Sequence, residues 1–266
     1  MLGAIIGDIA GSRFEFDNIH TKDFEFFHHW CFPTDDSYMT LVIAEAVLRW
    51  DEEGRKDYGT LSEYTVKYMR EWGQMYPDGG YGGHFYRWLR NPEEGPYNSC
   101  GNGSAMRVSA VGWAAESLEE CKKMSRAVTE ITHNHPDGIQ GAEATAVQIF
   151  LARNGMGKKE LKTMENREYY PLKHTWKYYT SHYVWNSLCD KTCQPAFLAL
   201  YESTDFEDAI RNCISIGGDS DTIGAICGGI AEAVYGIPEE IREKAEKFLD
   251  EKMLAVLRKF ENRFSR

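Results

Sequence analysis

The sequence predicts an all-α fold, because apolar runs recur with helical period and no convincing alternating strand pattern is present. With 266 residues, of which 42% are hydrophobic, the chain can bury a large core, and we expect one domain spanning 1–266. Residues 154–194 are polar and aromatic without a clear period. That stretch is interpreted as a variable insertion that packs over the helices.

Glycine, proline and capping residues mark the ends of the predicted helices. The first helix, 2–12, carries Gly3, Gly7 and Gly11 on one stripe, so that another backbone can approach it closely. The final helix opens at Pro238, as is common at a first helical position. Helices are also predicted over 36–50, 60–73, 83–90, from the 97–107 segment to about 115, and over 118–131, 137–153, 195–202, 205–216, 221–235 and 238–260.

Composition excludes several classes of protein. The formal charge of −11 argues against a nucleic-acid groove or an anionic membrane surface as partner. The seven cysteines are scattered without paired spacing, so neither a disulfide framework nor a zinc ribbon is indicated. The N-terminus lacks the basic region of a signal peptide. We expect a cytoplasmic protein, monomeric and without a membrane segment.

An acidic stretch opens one of the apolar helices. Asp219, Asp221 and Thr222 precede that helix, and no Lys or Arg occurs between Cys213 and Gly236. Such acids can be simple N-caps, because free N–H groups stabilise carboxylates there. Two neighbouring carboxylates nevertheless repel each other unless a positive charge lies between them, and oxygen ligands suit a hard cation such as Mg²⁺, Ca²⁺ or Mn²⁺.

A second copy of this pattern strengthens the metal hypothesis. Thr34, Asp35 and Asp36 precede another apolar helix far away in sequence. If the two N-termini meet, four carboxylates and two hydroxyls could hold a pair of divalent cations. Glu15 follows Asp8 by seven residues and could join them if the first helix ran on that far; it could equally be an acid at a frayed helix end.

Two glycine-rich segments have the composition of ligand-binding loops. The loop 76–83 is too rich in glycine for a regular element, and it could approach a ligand or simply connect two helices. The segment 97–107 has small residues before a helix, as in an anion cradle, but it matches neither a Rossmann nor a P-loop motif. Arg107 could bind phosphate or form a structural ion pair, and His133 is interpreted as a substrate contact.

The ordered set of motifs resembles the ADP-ribosylglycohydrolase family. The resemblance spans nearly the whole chain and implies an orthogonal multi-helix bundle with two divalent cations, Mg²⁺ or Mn²⁺, at the base of a cleft for ADP-ribose. The motifs that carry the resemblance are Gly7-Asp8 to Glu15, Thr34-Asp35-Asp36, Gly80-Tyr81-Gly82, Gly101 to Arg107, Thr132-His133 and Gly218 to Thr222.

The resemblance also implies roles for individual residues. Glu15, Asp35 and Asp36 would be catalytic. Gly80, Tyr81, Gly82 and His133 would face the sugars. The diphosphate and adenosine would be held by Ser99, Cys100, Gly101, Asn102 and Gly103. The metal ligands would be Glu15, Thr34, Asp35, Asp36, Asp219, Asp221 and Thr222.

The function implied is metal-dependent hydrolysis of the glycosidic bond between ADP-ribose and an acceptor. The acceptor could be a protein side chain such as arginine or serine, or the partner could be a small ADP-ribose derivative. Two alternatives stay open. Paired aspartates also serve a two-metal nucleotide phosphohydrolase, and a relative of this family could bind ADP-ribose or act structurally without catalysis.

Overall fold

The structure of the protein is a computed structural model that describes residues 1–264. Within that range it contains helices and no strand, so the predicted all-α fold is confirmed. The predicted single domain extends over residues 265 and 266, which lie outside the described residues. In the first half of the chain the helices are α1 (Leu2–Gly11), α2 (Asp35–Glu52), α3 (Tyr58–Met75), α4 (Gly83–Arg90), α5 (Gly103–Met106), α6 (Ser109–Ala114) and α7 (Leu118–Thr129).

The second half of the chain supplies the opposite side of the bundle and the segment above it. Short 3₁₀ turns at Ser12–Phe14 and Glu246–Phe248 extend α1 and join the last two helices. The helices there are α8 (Pro136–Arg153), α9 (Lys158–Glu168), α10 (Trp176–His182), α11 (Cys189–Tyr201), α12 (Phe206–Ile214), α13 (Ser220–Tyr235), α14 (Glu239–Ala245) and α15 (Glu251–Phe264).

Three predicted helices differ from those in the structure. The helix predicted at 238–260 is interrupted, because Leu249 is extended and Asp250 caps a new helix through the N–H of Met253 at 2.9 Å. The helix predicted from 195 begins at Cys189 and contains Pro195 within it. The helix predicted to run through Arg107 is divided there into α5 and α6. Propensity alone did not locate these ends, because tertiary contacts override it.

The core of the bundle is the contact between α1 and α13. Every residue of α1 is buried, and the glycine stripe on this helix packs directly on the α13 backbone. A Cβ at Gly7 would overlap the Gly224 backbone, and a Cβ at Gly11 would lie 2.6 Å from the Asp221 Cα. The prediction that another backbone approaches this stripe is therefore confirmed.

The other helices surround this pair. The helices α8, α11 and α12 pack on α13, while α2 packs on α1 and is covered by α3 and α15. Among residues 1–264, the helices are too short or too polar to cross a lipid bilayer.

The acidic side chain of Glu165 is buried outside the contact between α1 and α13. The Glu165 carboxylate accepts hydrogen bonds from the Gln148 side-chain amide at 2.9 Å and from the Tyr170 N–H at 3.2 Å. Burial dominates these two bonds and raises the pKa of Glu165 to about 8. The folded protein therefore retains a proton on Glu165 that the unfolded chain loses at lower pH.

We predict that Gly7→Ala destabilises the protein by about 1–3 kcal/mol or more, because the added methyl group forces α1 away from α13. Urea unfolding followed by circular dichroism measures the change. Gly95→Ala is the matched control, since a Cβ at Gly95 meets no atom within 4 Å. Equal stability of the two variants would contradict the close backbone contact.

We predict that Glu165 makes the unfolding free energy fall as pH rises from about 5 to about 8. The raised pKa favours the folded state while the group is protonated, so this stabilisation is complete below 4.5 and is lost once the pH has passed about 8. Relative to Glu165→Gln, the wild-type protein should lose roughly 1 kcal/mol per pH unit across this window. Parallel curves for the two proteins, from denaturant titrations at several pH values, would contradict the prediction.

Candidate active site

The N-termini of α2 and α13 meet, as the sequence motifs predicted. The Thr222 hydroxyl of α13 donates a hydrogen bond to Asp36 Oδ2 of α2 at 3.2 Å. The Thr34 hydroxyl approaches the same oxygen at 3.4 Å, and the Thr34 side chain also caps α2. The two acidic motifs, far apart in sequence, therefore form one acid cluster.

A glycine turn directs Asp219 into this cluster. Gly217 and Gly218 both have positive φ, a conformation that side chains disfavour, and Asn18 fixes the turn by hydrogen bonds to both the N–H and the carbonyl of Gly218. Asp219 stands at the N-cap position of α13 but makes no side-chain cap. Its carboxylate instead accepts a hydrogen bond of 2.6 Å from the Asn102 side-chain amide. Asp219 is therefore bound to the glycine-rich segment as well as standing at the start of α13.

Asp8, on α1, organises the cluster and was not predicted as part of it beyond its spacing to Glu15. One carboxylate oxygen accepts from the Thr34 hydroxyl at 2.7 Å. The other accepts from the N–H groups of Thr34 at 2.9 Å and Ser37 at 3.1 Å, and from the Ser37 hydroxyl. Through these bonds Asp8 holds the first turn of α2 in place. Ser37 therefore also contributes to the site indirectly.

The carboxylates fall into two overlapping groups. Oxygens of Asp8, Asp36 and Asp221 lie within 4.8 Å of one another, and so do oxygens of Glu15, Asp219 and Asp221. Asp221 belongs to both groups. An arrangement with one shared carboxylate between two oxygen clusters is suited to a pair of cations.

No basic side chain among residues 1–264 forms an ion pair with these acids. Burial, with added repulsion from Asp219 and Asp8, raises the pKa of Glu15 to about 7. Burial alone raises the pKa of Asp8 to about 6 against its four hydrogen bonds. Burial and neighbouring acids also raise the pKa values of Asp36 and Asp221 well above the usual range. The cluster is therefore destabilised by its own negative charge.

The donor set fits hard divalent cations. Asp36 Oδ1 is buried and has no hydrogen-bond partner among the described residues. A buried carboxylate oxygen without a partner is unfavourable unless a ligand satisfies it. The surrounding donors are carboxylate and hydroxyl oxygens, which Mg²⁺ and Mn²⁺ prefer.

The acid cluster forms the floor of a cleft of about 540 Å³. Tyr81 and Cys100 are the two predicted site residues outside its lining. Tyr81 is buried beneath the wall, and Cys100 is half-buried with its carbonyl bonded to the Cys189 N–H at 3.0 Å. The predicted residues that line the cleft are Glu15, Thr34, Asp35, Asp36, Gly80, Gly82, Ser99, Gly101, Asn102, Gly103, His133, Asp219, Asp221 and Thr222.

One wall of the cleft is a glycine cradle formed by Ser99, Gly101, Asn102 and Gly103. A Cβ at Gly103 would lie 3.2 Å from His133 Nε2, so glycine leaves room for that ring. The Asn102 amide links the cradle to Asp219, and the Asn102 N–H donates to the Ser187 carbonyl at 2.8 Å. The cradle is thus tied to both the acid cluster and the 154–194 segment.

An aromatic rim formed by Phe16, Phe32 and Trp185 surrounds the mouth of the cleft. All three rings are exposed, and Trp185 lines the cleft together with Glu15. The sequence motifs did not predict this rim. Phe16 and Phe32 flank predicted site residues and could have been suspected, whereas Trp185 lies in the segment that has no periodic pattern.

Comparison with known proteins agrees with this geometry. The ADP-ribosylglycohydrolase family profile matches residues 1–265. ADP-ribosylarginine hydrolase Tri1 from Pseudomonas putida is 27% identical over 93% of this chain and 72% of its own length. ADP-ribosylhydrolase ARH3 from Mus musculus is 26% identical over 84% and 75%, respectively.

A solved structure described as an ADP-ribosylglycohydrolase-related protein complex shares the fold. It has a TM-score of 0.66 and 21% identity over 98% of this chain and 95% of the solved chain. The family profile covers nearly the whole sequence, including both acidic motifs. The chain therefore belongs to the ADP-ribosylglycohydrolase family, enzymes that hydrolyse ADP-ribosyl linkages.

Proposed function

We propose that this protein is a divalent-cation-dependent hydrolase that cleaves the glycosidic bond between ADP-ribose and an acceptor. The observation that carries the proposal is the position of Asp221, which is shared between two groups of carboxylate oxygens on the cleft floor. The glycine cradle lies in the same cleft and offers room for a diphosphate beside a helix start. Cation site and nucleotide site are therefore adjacent.

The acids differ in how deeply they are buried in the cleft, which supports different roles for them. Asp36, Asp219 and Asp221 are almost completely buried and would hold the cations, with Thr34 and Thr222. Glu15 and Asp35 are half-buried and reach the cleft surface, where a substrate can touch them. Two bound cations would orient the hydroxyls of the distal ribose, and the neighbouring carboxylates would stabilise the positive charge that develops on the sugar as the glycosidic bond breaks. Glu15 and Asp35 are then placed for proton transfer and for positioning water.

Among acceptors we favour arginine. Its guanidinium is a planar cation, which suits a cleft mouth that carries aromatic rings and the Glu15 carboxylate. The likeness to ADP-ribosylarginine hydrolase Tri1 supports the same linkage. Incubation with ADP-ribosyl-arginine, ADP-ribosyl-serine and O-acetyl-ADP-ribose in the presence of Mg²⁺ or Mn²⁺ tests this choice. If either of the other two substrates is cleaved fastest, the preference for arginine is rejected and the proposed hydrolase activity is retained.

Product analysis separates the proposal from its two competitors. A hydrolase of ADP-ribosyl linkages releases intact ADP-ribose, whereas a nucleotide phosphohydrolase releases inorganic phosphate or AMP. A binding or structural relative would bind ADP-ribose and release nothing. Liquid chromatography of the same reaction mixtures distinguishes these three outcomes.

We predict that Asp36→Asn and Asp219→Ala each lower the rate of ADP-ribose release by at least a hundred-fold, the order expected when a cation site is lost. Each change also removes one of several mutually repelling buried carboxylates, so thermal unfolding should show a fold that is retained. Glu165→Gln is the matched control, because it replaces a buried acid outside the cleft, already protonated at neutral pH, with a neutral amide of similar shape and should keep full activity. Full activity of both site variants after chelation would refute the proposal.

We predict that Mg²⁺ or Mn²⁺ raises the melting temperature of chelator-treated protein. A cation at a hundred times its Kd would add about 2.7 kcal/mol to the unfolding free energy. It would also relieve the repulsion among the buried acids. Differential scanning fluorimetry should show this shift in the wild-type protein and a much smaller one in Asp36→Asn. Equal shifts in both proteins would place cation binding elsewhere.

A further inference from the structure

Arg107 lies in the break between α5 and α6 and is fully buried. Within residues 1–264 its guanidinium has no carboxylate partner, so the predicted alternative of a structural ion pair is not found. One terminal nitrogen donates to the Thr132 hydroxyl at 2.8 Å and approaches the Val128 carbonyl at 3.4 Å. The strongest bond of this buried cation is therefore to a side-chain oxygen.

That oxygen also contacts a histidine. Thr132 Oγ1 lies 2.8 Å from His133 Nδ1. A guanidinium only donates hydrogen bonds, so it occupies a lone pair of Oγ1 and leaves the hydroxyl proton free. Among the described residues, the only other partner of this hydroxyl is His133 Nδ1. The hydroxyl proton of Thr132 therefore has an acceptor within the protein only if Nδ1 accepts it.

If Nδ1 is the acceptor, the proton of the neutral imidazole lies on Nε2. The opposite tautomer would give Oγ1 a second donor and leave its own proton without an acceptor inside the protein. Burial and the neighbouring Arg107 charge lower the pKa of His133 well below its usual value, which favours the neutral ring. The lowered pKa therefore supports a neutral ring, and the hydrogen bonds assign its proton to Nε2.

The Nε2 atom faces the glycine cradle. It lies 3.2 Å from the position that a Cβ would take at Gly103 and 3.6 Å from that at Gly101. His133 is only 5% exposed, and no protein group in the described part of the chain pairs with Nε2. An N–H that faces the cleft and has no protein partner is free to donate to an acceptor on a ligand.

We propose that Thr132 is a positioning residue that, held by Arg107, fixes His133 as an Nε2–H donor aimed at a ligand oxygen in the glycine cradle. The ligand acceptor is an oxygen of phosphate or hydroxyl type. The identity of the ligand rests on the proposed function. The inferred tautomer is independent of the proposed function, because the hydrogen bonds that set it lie within the protein.

Nitrogen-15 NMR of histidine-labelled protein tests the tautomer without ligand or activity. The wild-type protein should show an unprotonated Nδ1 and a protonated Nε2 for His133, with the resonance assigned by its loss in His133→Asn. Thr132→Val should remove this preference, and Thr132→Ser should restore it. Thr129→Val is the matched control, because Thr129 is equally buried one turn earlier and its hydroxyl has no partner among the described residues.

Binding and kinetics test the consequence for a ligand. Thr132→Val should raise KM, and the Kd for free ADP-ribose, roughly ten-fold with little change in kcat, as expected when one buried hydrogen bond is lost. Thr132→Ser and Thr129→Val should stay near the wild-type values. A purely structural role for Thr132 would lower stability in Thr132→Val without moving the NMR signature.

The outcomes are distinguishable. A proton on Nδ1 in the wild-type protein, or an unchanged tautomer in Thr132→Val, overturns this inference whatever the activity. The predicted tautomer together with no binding of ADP-ribose would leave the inference intact and refute the proposed function. Weaker binding in Thr129→Val equal to that in Thr132→Val would also overturn it, since of these two threonines Thr132 is the one that bonds to the ring.

Discussion

The close contact between the backbones of α1 and α13 is the constraint on which the site depends. Glycine on both helices allows their main chains to touch, so the start of α13 lies directly beside the end of α1. The first helix carries Asp8 and leads to Glu15, while α13 begins with Asp221 and Thr222. Asp8 then draws α2 into the same place through its bonds to Thr34 and Ser37. A bulkier interface would separate these acids and the hydroxyls that orient them.

That arrangement is unfavourable for the protein alone. Several buried carboxylates repel one another with no basic side chain from residues 1–264 between them, and Asp36 keeps an unpaired oxygen. Hydrogen bonds offset the burial of Asp8, and Asn102 offsets part of that of Asp219. This crowding of carboxylates does not stabilise the folded protein by itself, but it favours the binding of cations. Strain of this kind is expected at a site whose requirements are set by a ligand rather than by stability.

The sequence predicted the parts of the fold and site that are local. Both acidic motifs, the glycine stripe on α1 and the glycine cradle are short patterns, and their spacing alone indicated oxygen ligands and close backbone packing. What the sequence could not provide were pairings between distant residues. The bonds that occupy both oxygens of Asp8, the partner of Arg107 and the place of Trp185 all depend on the folded arrangement. The helix predicted at 238–260 was wrong for the same reason, because Asp250 starts a new helix within it.

The acid cluster and the mouth of the cleft are built from different kinds of structure. The acids stand on α1, α2 and α13 or next to their ends, and the core fixes these helices, whereas Trp185 comes from the 154–194 segment and lines the same cleft as Glu15. Only a few bonds, such as that from the Asn102 N–H to the Ser187 carbonyl, hold this segment to the cradle. The segment also packs against the turn that presents Asp219, since a Cβ at Gly218 would meet the Tyr183 ring, so changes in the segment can reach the acids as well as the cleft mouth. Under the proposed function, the helix starts would set the chemistry, and the 154–194 segment would contribute to selection of the acceptor.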